Sequence, residues 1–107
     1  DSLRNVIKKM TDIPTKVDLL NQISWEYNRS DLLLTMEYAK KALELAEKHN
    51  YEKGKARAYN LIAIVEASFG NDIKAIEYNE KSLKIGEEIK DANNKVIDTS
   101  TNFNVFI

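Results

Sequence analysis

Two stretches of the chain, residues 36–49 and 76–89, repeat one amphipathic pattern forty residues apart. When they are aligned without a gap, five positions are identical: Glu37/Glu77, Tyr38/Tyr78, Lys41/Lys81, Leu43/Leu83 and Glu47/Glu87. A period of roughly 20–50 residues is typical of proteins built from stacked units, each of which buries its apolar face only against its neighbours. The repeat therefore predicts an all-α fold, a solenoid of stacked helical units.

Apolar residues recur at helical spacing along most of the chain. They predict one domain: a leading helix in residues 1–11, a first repeat in residues 14–50, a second in residues 51–90 and an incomplete third in residues 91–107. This division gives five to six helices, the sixth beginning near Ala92. Short links between the helices leave room only for antiparallel neighbours.

Local signals set the expected helix boundaries. Pro14 suits a first helical turn, and a cluster of turn and cap formers at residues 28–31 separates the second helix from the third. Gly70 is expected to end the fourth helix, because glycine tolerates the left-handed geometry that terminates helices. Part of the fifth helix is lined by an apolar stripe, Ile73, Ile76, Leu83 and Ile89.

The second hairpin, residues 56–89, resembles a tetratricopeptide repeat (TPR). The family pattern of an aromatic, an aliphatic, a small residue, a turn glycine and an alanine falls on Tyr59, Ile62, Ala63, Gly70 and Ala75. The sequence departs from the pattern at Glu66 and Asn79, where the family prefers aromatic residues. An earlier copy spans about residues 17–50 and is one residue shorter across its turn. The resemblance implies a right-handed α-solenoid of antiparallel helical hairpins, and a scaffold that binds proteins or peptides.

A second, looser resemblance concerns the amino-acid sequence of residues 21–27 and 38–43. These segments look like the repeat regions that precede sensor kinase or nucleotide cyclase modules in some bacteria. That similarity implies the sensory or regulatory part of a larger bacterial signalling protein. We also expect the chain to be a piece of something longer, because it starts at Asp1 and stops in an unfinished pattern.

The TPR resemblance also implies a binding site, because the first helix of each repeat lines a concave groove in that family. The matching positions here are Asp18, Asn21, Trp25, Asn28, Arg57, Asn60, Ile64 and Ala67. A tryptophan among amide and charged groups suits peptide recognition, since the ring supplies buried area and asparagine both donates and accepts hydrogen bonds. The alternative is that Trp25 packs against the leading helix through Ile7 or Met10.

Composition argues against other classes of function. Sixteen basic and seventeen acidic residues leave a net charge of −1, so we expect neither nucleic acid nor an anionic membrane surface as a partner. The chain has no cysteine and a single histidine, His49, and its glycines are isolated. Nucleophilic, metal and phosphate-binding sites lack their residue types, so we expect no enzyme, cofactor or metal. The sequence does not indicate a cellular compartment.

The sequence thus predicts a module for protein–protein or peptide interaction. The alternative is a structural scaffold that forms a homo-oligomer through its incomplete third repeat. In that reading Phe103, Val105 and Phe106 lack a covering helix and pair with another chain.

Overall fold

The computed structural model describes residues 2–9 and 11–96 and contains five helices in that part of the chain. They are α1 Ser2–Lys9, α2 Ile13–Glu26, α3 Leu32–Lys48, α4 Glu52–Ser68 and α5 Asp72–Val96. No strand occurs among the described residues, so the prediction of an all-α fold is confirmed there. Links of five, three and three residues join α2, α3, α4 and α5, which makes successive helices antiparallel.

The helix ends follow the local signals of the sequence. Asp31 is the N-cap of α3, and its side chain accepts a 3.1 Å hydrogen bond from the backbone N–H of Leu34. Gly70, just after α4, has a φ of 83°, and Asn50, just after α3, has a φ of 56°. Both helices therefore end at a left-handed residue of a type that tolerates this conformation.

The expected break before a sixth helix near Ala92 is not present, because α5 continues through this residue to Val96. The position of Asn50, which ends α3, is taken forty residues later by Lys90. Lysine is a good helix former and does not favour the left-handed conformation, so nothing stops α5 there. The remaining predicted region, residues 97–107 with Phe103, Val105 and Phe106, lies outside the described residues.

Helix α4 contacts α2, α3 and α5, and α3 contacts α2 and α4. Three alanines of α3, Ala39, Ala42 and Ala46, are completely buried. Small side chains at these positions let neighbouring helices approach closely. The core has two apolar clusters. One contains Ile7, Val17, Leu20, Tyr38, Ala42, Ala46 and Ala58, and the other Ala39, Leu61 and Ile62.

A direct contact between α2 and α4 is centred on Gly54, in the first turn of α4. A Cβ atom on this buried glycine would lie 2.6 Å from Cδ2 of Tyr51 and closer still to Cγ1 of Val17. Two hydrogen bonds flank the contact: Asn21 Nδ2 donates to the Gly54 carbonyl at 3.1 Å, and the Tyr51 hydroxyl donates to Asp18 Oδ1 at 2.9 Å. The two helices therefore fit together only around a residue without a side chain.

The first prediction concerns this glycine. We expect Gly54→Ala to lower the free energy of unfolding by about 1–3 kcal/mol, because the new methyl group overpacks the contact with Val17 and Tyr51. Without that clash, alanine would stabilise a helix by about 1 kcal/mol relative to glycine. Urea unfolding followed by circular dichroism measures the change.

A matched control is Lys53→Ala, one residue earlier and exposed, which we expect to change stability by less than about 0.5 kcal/mol. A Gly54→Ala variant as stable as the native chain, or more stable, would contradict the close approach of α2 and α4.

Candidate functional site

All eight predicted groove residues lie on α2, on α4 or in the link after α2, and these two helices are in contact. The structure sorts the eight by accessibility. Exposed residues are Asp18, Trp25, Arg57, Asn60 and Ala67; Asn28 and Ile64 are half-buried, and Asn21 is buried. Seven of the eight thus offer surface to a partner, and the eighth holds the two helices together.

Asn21 is only 2% exposed, and its side-chain amide is used inside the protein. The Nδ2 group donates to the Gly54 carbonyl, while Oδ1 has no hydrogen-bond partner among the described residues. Its copy in the second repeat, Asn60, is exposed. The sequence pattern gives both asparagines the same position, so it could not tell the one that joins two helices from the one at the surface.

Asp18 is exposed but already accepts a hydrogen bond from Tyr51, a residue that the sequence pattern did not single out. Burial raises the pKa of Tyr51 to about 12, and the hydrogen bond to Asp18 and the charge of this carboxylate add to the effect. The pair links α2 to the start of α4 beside Gly54. A glycine and an aromatic residue at the start of α4, both facing α2, are the signal that could have located this contact.

Trp25 keeps 44% of its surface exposed on α2. Ile7, the suggested partner in the leading helix, instead packs in the core cluster with Val17 and Leu20, and Met10 lies outside the described residues. The Asn28 side chain donates a hydrogen bond to the Trp25 carbonyl at the end of the helix. A large exposed aromatic ring, with the Asn28 amide close to it, is therefore available at the end of α2.

The α4 part of the site combines charge, amide and apolar surface. Arg57 and Asn60 are exposed one turn apart, and Ile64 is half-buried because it packs against the core cluster of Ala39, Leu61 and Ile62. The guanidinium can bind a carboxylate, and the amide can pair with a peptide backbone. The exposed residues predicted for the groove thus include an aromatic ring on α2 and a cation and a bifunctional amide on α4.

The tyrosines and lysines that are identical in the two repeats make contacts within the protein. Lys41 Nζ lies 5.3 Å from the centre of the Tyr38 ring, and Lys81 Nζ lies 5.3 Å from the centre of the Tyr78 ring. The Tyr78 ring also packs against Tyr59, with 5.9 Å between the ring centres. The two lysine–tyrosine contacts lie within one helix each, and the Tyr59–Tyr78 contact joins α4 to α5, so these identical positions contribute to packing rather than to the groove.

Comparison with protein-family models, with curated proteins and with solved structures found no match for this chain. The TPR resemblance therefore rests on the sequence positions quoted above. Within the described residues, no helix combines the length and apolar character needed to cross a lipid bilayer. The same part of the chain holds no group of three or more acidic or histidine side chains suited to a metal ion.

The two equivalent asparagines give a second prediction. Asn21→Ala should lower the free energy of unfolding by about 1–3 kcal/mol, because it removes the buried side-chain hydrogen bond to the Gly54 carbonyl and leaves an unfilled space between α2 and α4. Asn60→Ala removes an exposed side chain and should change stability by less than about 0.5 kcal/mol. Thermal and urea unfolding of the two variants measure this difference, and equal effects at both positions would refute the assignment of Asn21 to the helix contact.

A third prediction follows from the raised pKa of Tyr51. The neutral phenol is favoured in the folded state, so its contribution to stability is complete below the usual tyrosine pKa of about 10. This contribution is lost as pH rises through the folded-state pKa of about 12. Tyr51→Phe cannot ionise, so the loss of stability between about pH 9 and about pH 11 should be smaller than in the native chain. Urea unfolding at both pH values tests this, and an equally steep loss in the variant would contradict it.

Proposed function

We propose that this chain is a protein- or peptide-interaction module of the TPR type, a right-handed α-solenoid unit that binds a polypeptide segment on the face formed by α2 and α4. The observation that carries the proposal is the half-exposed indole of Trp25 beside polar side chains, on a helix whose position is fixed by the Gly54 contact. Exposed tryptophan is costly to leave in water, and buried tryptophan is a frequent energetic centre of protein interfaces.

Rigidity of the α2–α4 face supports binding. Asn21 and Tyr51 each make a hydrogen bond between α2 and the start of α4, and Gly54 lets the two backbones approach. A partner that meets a preformed surface loses less conformational entropy than one that must order it. The face is thus suited to capture a segment without rearrangement.

The side chains also favour a type of segment. Trp25 and Ile64 provide apolar surface, and Arg57 provides a positive charge on the α4 side. Asn60 can donate to and accept from a peptide backbone. The proposed ligand is therefore a segment with an apolar or aromatic anchor residue and a nearby carboxylate.

We extend the proposal to the biological setting, a sensory or regulatory part of a larger bacterial signalling protein. The support for that setting is the similarity of residues 21–27 and 38–43 to repeat regions of such proteins. Binding rather than catalysis is proposed because the chain has no cysteine and its one histidine, His49, is exposed at the end of α3. Homo-oligomerisation through the third repeat stays a prediction, because it concerns residues 97–107.

Affinity capture tests the groove. The immobilised chain should retain a partner from a lysate of its source organism, and Trp25→Ala or Asn60→Ala should reduce the retained amount at least about tenfold. Circular dichroism should show unchanged helix content, since both side chains are exposed. Leu33→Ala is the matched control, because Leu33 is a large exposed side chain on α3, outside the groove. Retention that is insensitive to Trp25 and Asn60 would contradict the groove assignment.

A further inference from the structure

The α4–α5 hairpin exposes a copy of a surface that the α2–α3 hairpin has already buried. On α3, Met36 and Leu43 pack against the core cluster that contains Leu61 and Ile62 of α4. Forty residues later, the equivalent side chains of α5 are Ile76 and Leu83. They are 57% and 64% exposed. Helix α5 thus carries a copy of the apolar pair that packs against α4 in the first repeat. No described residue covers this copy.

The asparagine that hydrogen-bonds to the backbone of α4 is repeated as well. Asn21 on α2 donates to the Gly54 carbonyl in the first turn of α4. Its copy on α4, Asn60, is exposed. Asn21, Met36 and Leu43 together form the surface against which α4 packs. The equivalent residues of the second hairpin, Asn60, Ile76 and Leu83, are all exposed.

We call this set, Asn60, Ile76, Asn79 and Leu83, the end surface. Asn79 is exposed and replaces Ala39, which is fully buried against α4. The end surface therefore differs from its copy by one polar group between two apolar side chains. A partner with a hydrogen-bonding group at this point can pair with the Asn79 amide. The same partner buries the apolar surface of Ile76 and Leu83.

We propose that the end surface docks an amphipathic helix of a partner protein, of the kind that α4 exemplifies. Such a helix has a glycine in its first turn, where Asn60 meets its backbone, and aliphatic residues about two turns later, where Ile76 and Leu83 meet them. In this chain, α4 itself occupies the equivalent surface of the first hairpin, where its Gly54 carbonyl accepts from Asn21. The end surface shares Asn60 with the α2–α4 groove, but its apolar pair lies on α5, outside the groove, whereas Trp25 belongs to the groove alone.

A second copy of the chain is a less suitable occupant. A second copy could pair its α5 with this α5, but the antiparallel pairing that sets Ile76 opposite Leu83 also sets Asp72 opposite Glu87. Both acidic residues are exposed, and like charges facing each other oppose association.

The test uses a fluorescein-labelled peptide with the sequence of residues 51–69, which contains α4, and measures its anisotropy as the 107-residue chain is added. We expect saturable binding to the native chain. Ile76→Glu and Leu83→Glu should each weaken it at least about tenfold, because a carboxylate then meets the apolar side of the peptide. A peptide with Gly54→Val should also bind at least about tenfold more weakly.

Leu33→Glu is the matched control. Leu33 is 73% exposed on α3, so its replacement introduces the same charge at an exposed leucine away from the end surface, and binding should be unchanged. Circular dichroism of the three chain variants should match the native spectrum, because all three positions are exposed. Trp25→Ala should leave peptide binding intact, so a failure here is distinguishable from a failure of the groove.

Three results would overturn the proposal. The first is the absence of saturable binding. The second is equal binding by the native chain and by Ile76→Glu, which would show that the peptide displaces the internal α4 or binds elsewhere. The third is self-association of the chain, in light scattering without peptide, that Leu83→Glu abolishes, which would make a second copy the occupant.

Discussion

The close approach of α2 and α4 at Gly54 is the contact on which the rest of the structure depends. A glycine in the first turn of a helix costs about 1 kcal/mol of helix propensity, yet here it is the residue that leaves room for Val17 and for the ring of Tyr51. The hydrogen bond from Asn21 to the glycine carbonyl then fixes the axial position of the two helices. This arrangement sets the face that carries Trp25.

The fold was predictable to the extent that local chemistry decides it. Periodic apolar residues, the turn formers at residues 28–31 and the terminator Gly70 indicated the class and most helix boundaries, because helices end where left-handed residues are tolerated. The same reasoning explains the error at Ala92. The repeat pattern implied a break there, but the residue that would end the helix is Lys90, and capping chemistry prevails over periodicity.

The candidate site was only partly predictable, because equivalent positions of a repeat are not in equivalent environments. Asn21 and Asn60 share one sequence position, but the first lies against the backbone of the next hairpin and the second is exposed. Ile76 and Leu83 likewise belong to an apolar stripe that the sequence marks as packed, and both are exposed. In a repeat, burial depends on which neighbour follows, and a single repeat's sequence does not contain that information.

The most direct measurement of the central claim is the set of nuclear Overhauser contacts between the Val17 methyl protons and the α protons of Gly54 in the labelled chain. The structure places Val17 Cγ1 against Gly54, so strong contacts are predicted, together with slow amide hydrogen exchange in both helices. Their absence, in a chain with native helix content, would mean that α2 and α4 are not held together. In that case the two helices that form the proposed groove have no fixed relative position.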